Sequence, residues 1–236
     1  MGICATAWRG GGTPYERLDR IDAELNFIKT LLLEAHKDNL NYLFDSVYKS
    51  DIWVGGSGPG SDPELCKNYI AFLQEFFKEN NIQSIVDCGC GDWQFSQYMD
   101  FSGIDYQGFD VAAFVVSQNN ARFQKENVHF HLYDGDFLQL PAADLLICKD
   151  VLQHLDNQRI QTFIRQLPRF KFAILTNDIC DPTNPLLNAD ITSGSYRPLD
   201  LRKAPFSLDL KIVLQIDDGL SNGYDKTVML WVNPQK

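Results

Sequence analysis

VDCGCGDWQFS, Val86 to Ser96, decides how this chain is read. The run in front of it, IQSIVDC, is apolar and β-branched, as a buried strand is. Gly89 and Gly91 follow at its end, two residues apart, and let the backbone turn sharply and come close to a ligand. Asp87 and Asp92 stand on either side of the turn. A dinucleotide loop needs a third small residue and sets its pyrophosphate on the next helix N-terminus. Position 94 is instead Gln94, and two carboxylates beside the turn would repel a diphosphate. A ligand with positive charge and no phosphate removes the conflict. S-adenosylmethionine, with a sulfonium, an ammonium and no phosphate, is such a ligand.

Outward from this turn, strands and helices alternate. YQGFDV, VHFHLY, ADLLICK and FKFAILTND follow IQSIVDC as predicted strands, with helices over 93–99, 112–124 and 156–166. ADLLICK is a nearly continuous apolar run, as a strand covered on both faces is. DLKIVLQID and TVMLWV, joined by DGLSNGYDK, predict an antiparallel hairpin at the end. The pattern predicts an α/β fold with a doubly wound, mostly parallel sheet of Rossmann-like type. Its seven strands end in the antiparallel hairpin, and ligands bind at the carboxyl ends of the parallel strands.

The N-terminal side has a different texture. Residues 1–14, with Gly10 to Gly12 and Pro14, read as a flexible lead-in. Residues 15–50 read as an N-terminal helical extension, one long pattern from Tyr15 to Tyr48. Within it Leu18, Ile21, Leu25, Ile28, Leu32 and Ala35 recur at steps of three and four. That stripe suits a short coiled coil, giving a homodimer or a contact with a neighbouring domain through residues 15–48. It suits a helix packed on its own domain equally. Residues 51–236 form the main domain. They open with the Gly-rich WVGGSGPGS, Trp53 to Ser61, which lacks the Gly-Lys-Ser/Thr ending of a phosphate-binding loop. Asp62-Pro63-Glu64 then predicts the start of a helix running to about Asn80.

Composition narrows the partners. With 21 basic and 31 acidic residues the net charge is −10, and no basic stripe is present, which argues against nucleic acid. A small or neutral substrate fits better. The six cysteines form no metal-binding cluster and read as reduced thiols in a cytoplasmic setting. No apolar run approaches the roughly 18 residues of a transmembrane segment, and there is no secretory signal. The opening MGICAT fits the pattern for N-myristoylation, a short pattern that often matches by chance.

Further acids fall where the cationic nucleoside would need them. Asp110 ends the second strand and can accept from both ribose hydroxyls. Asp134 and Asp136 follow the third strand, placed to accept from the adenine amino group, with Phe137 beside the ring. Any one of these acids is equally well a solvated loop residue. Their recurrence at successive strand ends is what singles them out.

On these residues the chain, over about 62–233, resembles the class I S-adenosylmethionine-dependent methyltransferases. VDCGCGDW is similar to the family's D-x-G-x-G-x-G motif, with Trp93 in place of the last glycine; its indole is expected to pack over the methionine part of the cofactor. FDV resembles the ribose motif, GDFLQLP the adenine motif and ADLLICKDVLQHL the strand-four motif. The resemblance implies S-adenosylmethionine as cofactor, held by Asp87, Gly89, Gly91, Trp93, Asp110, Val111, Asp136, Phe137 and Lys149.

The fourth strand ends in Lys149-Asp150, with His154 shortly after. Methyl transfer to a hydroxyl needs a group to take its proton. Asp150 and His154 are the catalytic candidates, although His154 between Leu152 and Leu155 is equally a packed helix-start residue, and Asp150 equally a substrate clamp or loop support. Thr176-Asn177-Asp178 after the fifth strand, together with Asp150, is similar to the magnesium site of catechol-type O-methyltransferases. Plain hydrogen-bond acceptors are the better reading, so no metal is assigned. The segment from Asp178 to Phe206 is too patterned for a connector. Asp178, Asn188, Tyr196 and Arg197 offer acceptors, an amide, a stacking face and a fork donor, a mixture suited to a polyhydroxylated substrate. The W-x-GSG-x-GS loop and GSYRPLDLRKAPF resemble a sub-branch of methyltransferases found beside glycan-assembly enzymes, in which Trp53 to Ser61 would be a lid. The expected activity is O-methylation of a sugar hydroxyl, at the end of a glycan. The alternatives are methylation of another small molecule or of a protein side chain, and a non-catalytic module whose helix recruits a partner.

Overall fold

A computed structural model describes residues 14–217 and 223–235. The lead-in, the myristoylation pattern and the tip of the final hairpin fall largely outside them. The strands are β1 (Ser84–Cys88), β2 (Asp105–Asp110), β3 (Val128–Leu132), β4 (Leu145–Lys149), β5 (Phe172–Ile179), β6 (Lys211–Ile216) and β7 (Asp225–Val232). The helices are α1 (Pro14–His36), α2 (Leu40–Lys49), α3 (Lys67–Glu79), α4 (Ala113–Phe123) and α5 (Asn157–Ile164).

The sheet runs in the order β3-β2-β1-β4-β5-β7-β6. The first five strands pair in parallel, and β7 enters antiparallel between β5 and β6. Strand periodicity sorts the side chains into two cores. Val86, Cys88, Leu146, Cys148, Ala173 and Leu175 face one layer; Ile85, Leu145, Ile147 and Ile174 face the other. Every residue of β4 is buried, as its apolar run predicts. β1 lies between β2 and β4, so the direction of winding reverses there and opens a crevice above Cys88 and Lys149.

The long N-terminal helix is corrected: it is two. Asn39 stops the first and caps the second, its side-chain oxygen accepting from Tyr42 N at 3.0 Å. The chain divides into units 1–35 and 36–236, so α2 belongs with the sheet, where Leu40 and Phe44 join the first core. In the other unit α1 carries its apolar stripe half exposed. α3 starts at Lys67, later than predicted, because Asp62 first closes a tight turn by accepting from Glu64 N at 2.7 Å. The helix predicted over 93–99 shrinks to one turn, Ser96–Tyr98, because Trp93 has φ +61° and cannot begin an α-helix. Asp156 caps α5 by accepting from Arg159 N at 2.9 Å. The hairpin strands pair with a bulge between Ile212 and Leu214. Cys66, Cys88, Cys90 and Cys148 are buried free thiols, and Cys180 is a half-exposed one. No helix among the described residues is long and apolar enough to cross a membrane.

Candidate functional site

At the crevice the chain turns through Gly89 (φ +78°) and Gly91 (φ +55°). A Cβ on Gly89 would lie 2.2 Å from Val151 Cγ2, and one on Gly91 would lie 2.4 Å from Ser57 Oγ. The turn is thus pressed between the β4 rim and the Trp53–Ser61 loop, which only glycine permits. Trp93 follows, and its indole does not cover the cleft. It crosses to the second core, lying 5.7 Å from Phe101 at an interplanar angle of 20°. Its Nε1–H donates to Tyr106 Oη at 2.9 Å, and Tyr106 donates in turn to Asp87 Oδ2 at 2.6 Å. A buried indole needs an apolar home and a partner for its N–H, and only that face supplies both. The result is a relay that holds the Asp87 carboxylate beside the turn.

No ion pair reaches the acids on this side among the described residues. Burial pushes the Asp87 carboxyl up to about 7, against the hydrogen bond from Tyr106; Asp110 raises it further, and Lys149 lowers it only as the smallest of these influences. Asp110 accepts from Gly91 N at 3.0 Å and Ala112 N at 2.8 Å, yet burial still pushes it up to about 6. Asp92 Oδ2 accepts from Ser57 N and Gln94 Nε2, while its buried Oδ1 has no partner among the described residues. Val111 and Phe137 border the cleft. Asp136 does not: it is exposed and caps Leu138 N at 2.9 Å, and Asp134 is likewise spent on Asp136 N and Gln139 Nε2. Both acids lie in a turn whose own backbone donors claim them. In their place stand residues that the sequence pattern passed over. Leu40, Phe44 and Tyr48 of α2 and Tyr133 after β3 line the cleft. The apolar stripe of α2 was the available signal, merged into the longer helix.

The opposite rim inverts this electrostatics. Lys149 Nζ reaches Asp150 Oδ2 at 2.6 Å, and Lys226 Nζ from β7 reaches Asp150 Oδ1 at 2.8 Å and Asp178 Oδ1 at 2.9 Å. Burial alone would raise the Asp150 carboxyl; the two ammoniums overcome it and hold it at about 2. So held, Asp150 is a poor proton acceptor, and the sequence expectation of a base there is corrected. The Lys226 ammonium thus lies between Asp150 and Asp178 and bonds to both. His154 differs. Its Nδ1 lies 2.9 Å from Ser195 O, a carbonyl that can only accept, so Nδ1 carries the proton and Nε2 is the basic nitrogen. Burial lowers its pKa below the ordinary histidine value, which favours the neutral ring.

The predicted substrate residues separate. Arg197 is buried, donating to Leu152 O and Asn157 Oδ1, each at 3.0 Å. Asn188 clamps its own loop, donating to Asp200 O and Ala204 O and accepting from Asp200 N. Neither lines the cleft; both stitch the long segment to the rim, because buried polar groups must be paired. Tyr196 stays near it. Its hydroxyl donates to Asp178 Oδ2 at 2.9 Å, and its ring lies 5.7 Å from His154 and 5.9 Å from Tyr224. Trp53 also neighbours the His154 ring, at 5.5 Å. Its loop is tied down on the cleft: Ser57 bonds to Asp92 and Tyr48, and Gly60 O accepts from Lys149 Nζ at 2.6 Å.

Residues 85–170 match the family model of a methyltransferase domain. A search of curated proteins found no match. Among solved structures, TehB from Haemophilus influenzae is similar at 15% identity, covering 72% of this chain and 66% of that one, TM-score 0.52. The bifunctional kinase–methyltransferase WbdD is similar at 17% identity over 71% of this chain, TM-score 0.51; the match spans 40% of WbdD. Magnesium protoporphyrin IX methyltransferase from Synechocystis PCC 6803 with bound SAH matches at 17% identity, covering 71% and 83% of the two chains, TM-score 0.50. The fold is the one these methyltransferases share. The residues around the glycine turn fit S-adenosylmethionine, the cofactor that the sequence implies. Two raised carboxylates with no ion pair among the described residues, an orphaned Asp92 oxygen and a cradle that a Cβ would fill all suit a cationic nucleoside.

Proposed function

We propose that the protein methylates a hydroxyl group of a sugar, at the end of a glycan or on a small glycoside, with His154 Nε2 as the base. Asp87, Gly89, Gly91, Asp110 and Val111 would hold the cofactor, with Phe137 and the α2 side chains closing the apolar side. Bound there, S-adenosylmethionine supplies an electrophilic methyl group on its sulfonium. Lys149 and Asp150 are rim supports: Lys149 ties the Trp53–Ser61 loop to β4, and Asp150 carries its charge between two ammoniums.

The observation that carries the acceptor class is the row of rings Trp53, His154, Tyr196 and Tyr224, with centroids 5.5 to 5.9 Å apart. Flat faces suit the apolar faces of a pyranose, and Asp178 fixes the Tyr196 hydroxyl at the end of the row. A neutral imidazole within that row supports proton removal from an acceptor seated against it. The overall negative charge further favours a neutral acceptor over a polyanion.

Incubation with isotopically labelled methyl donor and a panel of simple glycosides, small phenols and peptides tests this. Mass spectrometry should find the label as a methyl ether on glycosides. Label confined to phenols or peptides would overturn the sugar reading, and cofactor binding without transfer to any member would favour a non-catalytic module.

A further inference from the structure

α1 is a helix of 23 residues whose apolar stripe stands in the open. Leu18, Ile21, Leu25, Ile28 and Leu32 are 50–57% exposed. Their steps of three and four place Leu18, Leu25 and Leu32 at heptad position a, and Ile21, Ile28 and Ala35 at d. The flanking positions are charged in a self-complementary way. Arg17 and Glu24 fall at g, Asp22 and Lys29 at e. In a parallel arrangement g of one helix meets the following e of its neighbour, which pairs Arg17 with Asp22 and Glu24 with Lys29. All four charges then meet an opposite sign, Glu24 in addition to its bond with Arg20 of the same helix at 3.0 Å. In the antiparallel arrangement that keeps the same apolar layers, Asp22 meets Lys29, but Arg17 and Glu24 gain no opposite charge.

We propose that copies of this chain associate through α1 into a parallel bundle of three or four helices. The occupant of the stripe is a second copy because the charges that flank it complement themselves. The stoichiometry follows from side-chain shape. Leucine at a with isoleucine at d favours three or four strands over two. The apolar face is also wider than a two-stranded seam, since Leu31 at g is 53% exposed. A bundle of more than two helices covers part of the g positions as well. Isolated helices are marginal in water, and packing of the stripe supplies what the helix alone lacks.

Sedimentation equilibrium on the full chain tests this directly. A species of three or four times the 26.9 kDa chain mass at micromolar concentration is expected. A monomer would overturn the proposal and leave the stripe to a different protein; a dimer would overturn the packing argument. The double variant Ile21→Asp/Ile28→Asp should sediment as a monomer while calorimetry shows unchanged cofactor affinity; a variant that stays oligomeric would remove α1 from the interface. Leu18→Cys should cross-link under mild oxidation if the helices are parallel. Absence of the cross-link in an oligomeric variant would overturn the parallel arrangement.

Discussion

The two sides of the cleft use the same residue type in opposite states. Around the glycine turn, Asp87 and Asp110 are buried with no ion pair among the described residues, and their carboxyls rise to about 7 and about 6. Across the cleft, Asp150 is also buried, yet two ammoniums hold it at about 2. Burial acts in the same direction on all three; the neighbouring charge decides the outcome. The first pair is the kind of environment that a cationic ligand would suit. The second carboxylate already has its cations and can only support. The contrast also separates the roles of His154 and Asp150, which the sequence left as equals.

The largest expected effect tests that separation. His154→Ala should lower kcat by about 10²–10⁴-fold, with cofactor affinity unchanged. A normal turnover number would move the base elsewhere. Lys226→Met should come next. It leaves Asp150 and Asp178 facing each other without their shared ammonium, at a cost of about 3–5 kcal/mol in denaturant unfolding. A loss near zero would mean that the rim is held by packing alone.

Asp110→Ala should weaken calorimetric binding of S-adenosylmethionine by about 2–4 kcal/mol, the worth of one or two hydrogen bonds to a charged acceptor. Unchanged affinity would take Asp110 out of the site. Tyr106→Phe removes the hydroxyl that donates to Asp87 Oδ2. The Asp87 carboxyl should then titrate higher still, and the midpoint of cofactor affinity against pH should move up by about 1–2 units. A fold-only role for Tyr106 would leave that midpoint in place.

The smallest effect is on stability. A carboxyl raised in the folded state contributes stability that is full below its ordinary value and lost as pH rises through its folded value. For Asp87 the window runs from 3.8 to about 7. Without cofactor, Tm should therefore decline across this window by more in the parent than in Asp87→Asn. Asp150 behaves oppositely, contributing above 3.8 and losing that contribution as pH falls toward about 2. Equal declines in parent and Asp87→Asn would show that Asp87 does not titrate in this range.

Much of the scaffold was visible in the residue pattern. β1 and β4 announced themselves as apolar runs, and Gly89 and Gly91 as the turn that ends β1, because strand burial and left-handed backbone are local demands. The break between α1 and α2 was hidden: Asn39 sits in an otherwise unbroken apolar rhythm, and only the docking of Leu40 and Phe44 into the first core makes it a cap. Asp136, Asn188 and Arg197 carry suitable chemistry for ligands, but their partners are backbone groups brought near by folding. Lys226 drew no notice at all, since its partners Asp150 and Asp178 lie on other strands.

The sequence by itself determined the order of strands and helices, the glycine turn with its flanking acids and the heptad stripe of α1. Each follows from local periodicity or from what one residue permits its own backbone. Only the tertiary structure decided which acids meet a cation, which way the Trp93 indole points and which nitrogen of His154 is basic. Those properties belong to pairs of groups far apart in the chain, and a proton's affinity for a side chain depends on what folding sets within a few ångströms of it.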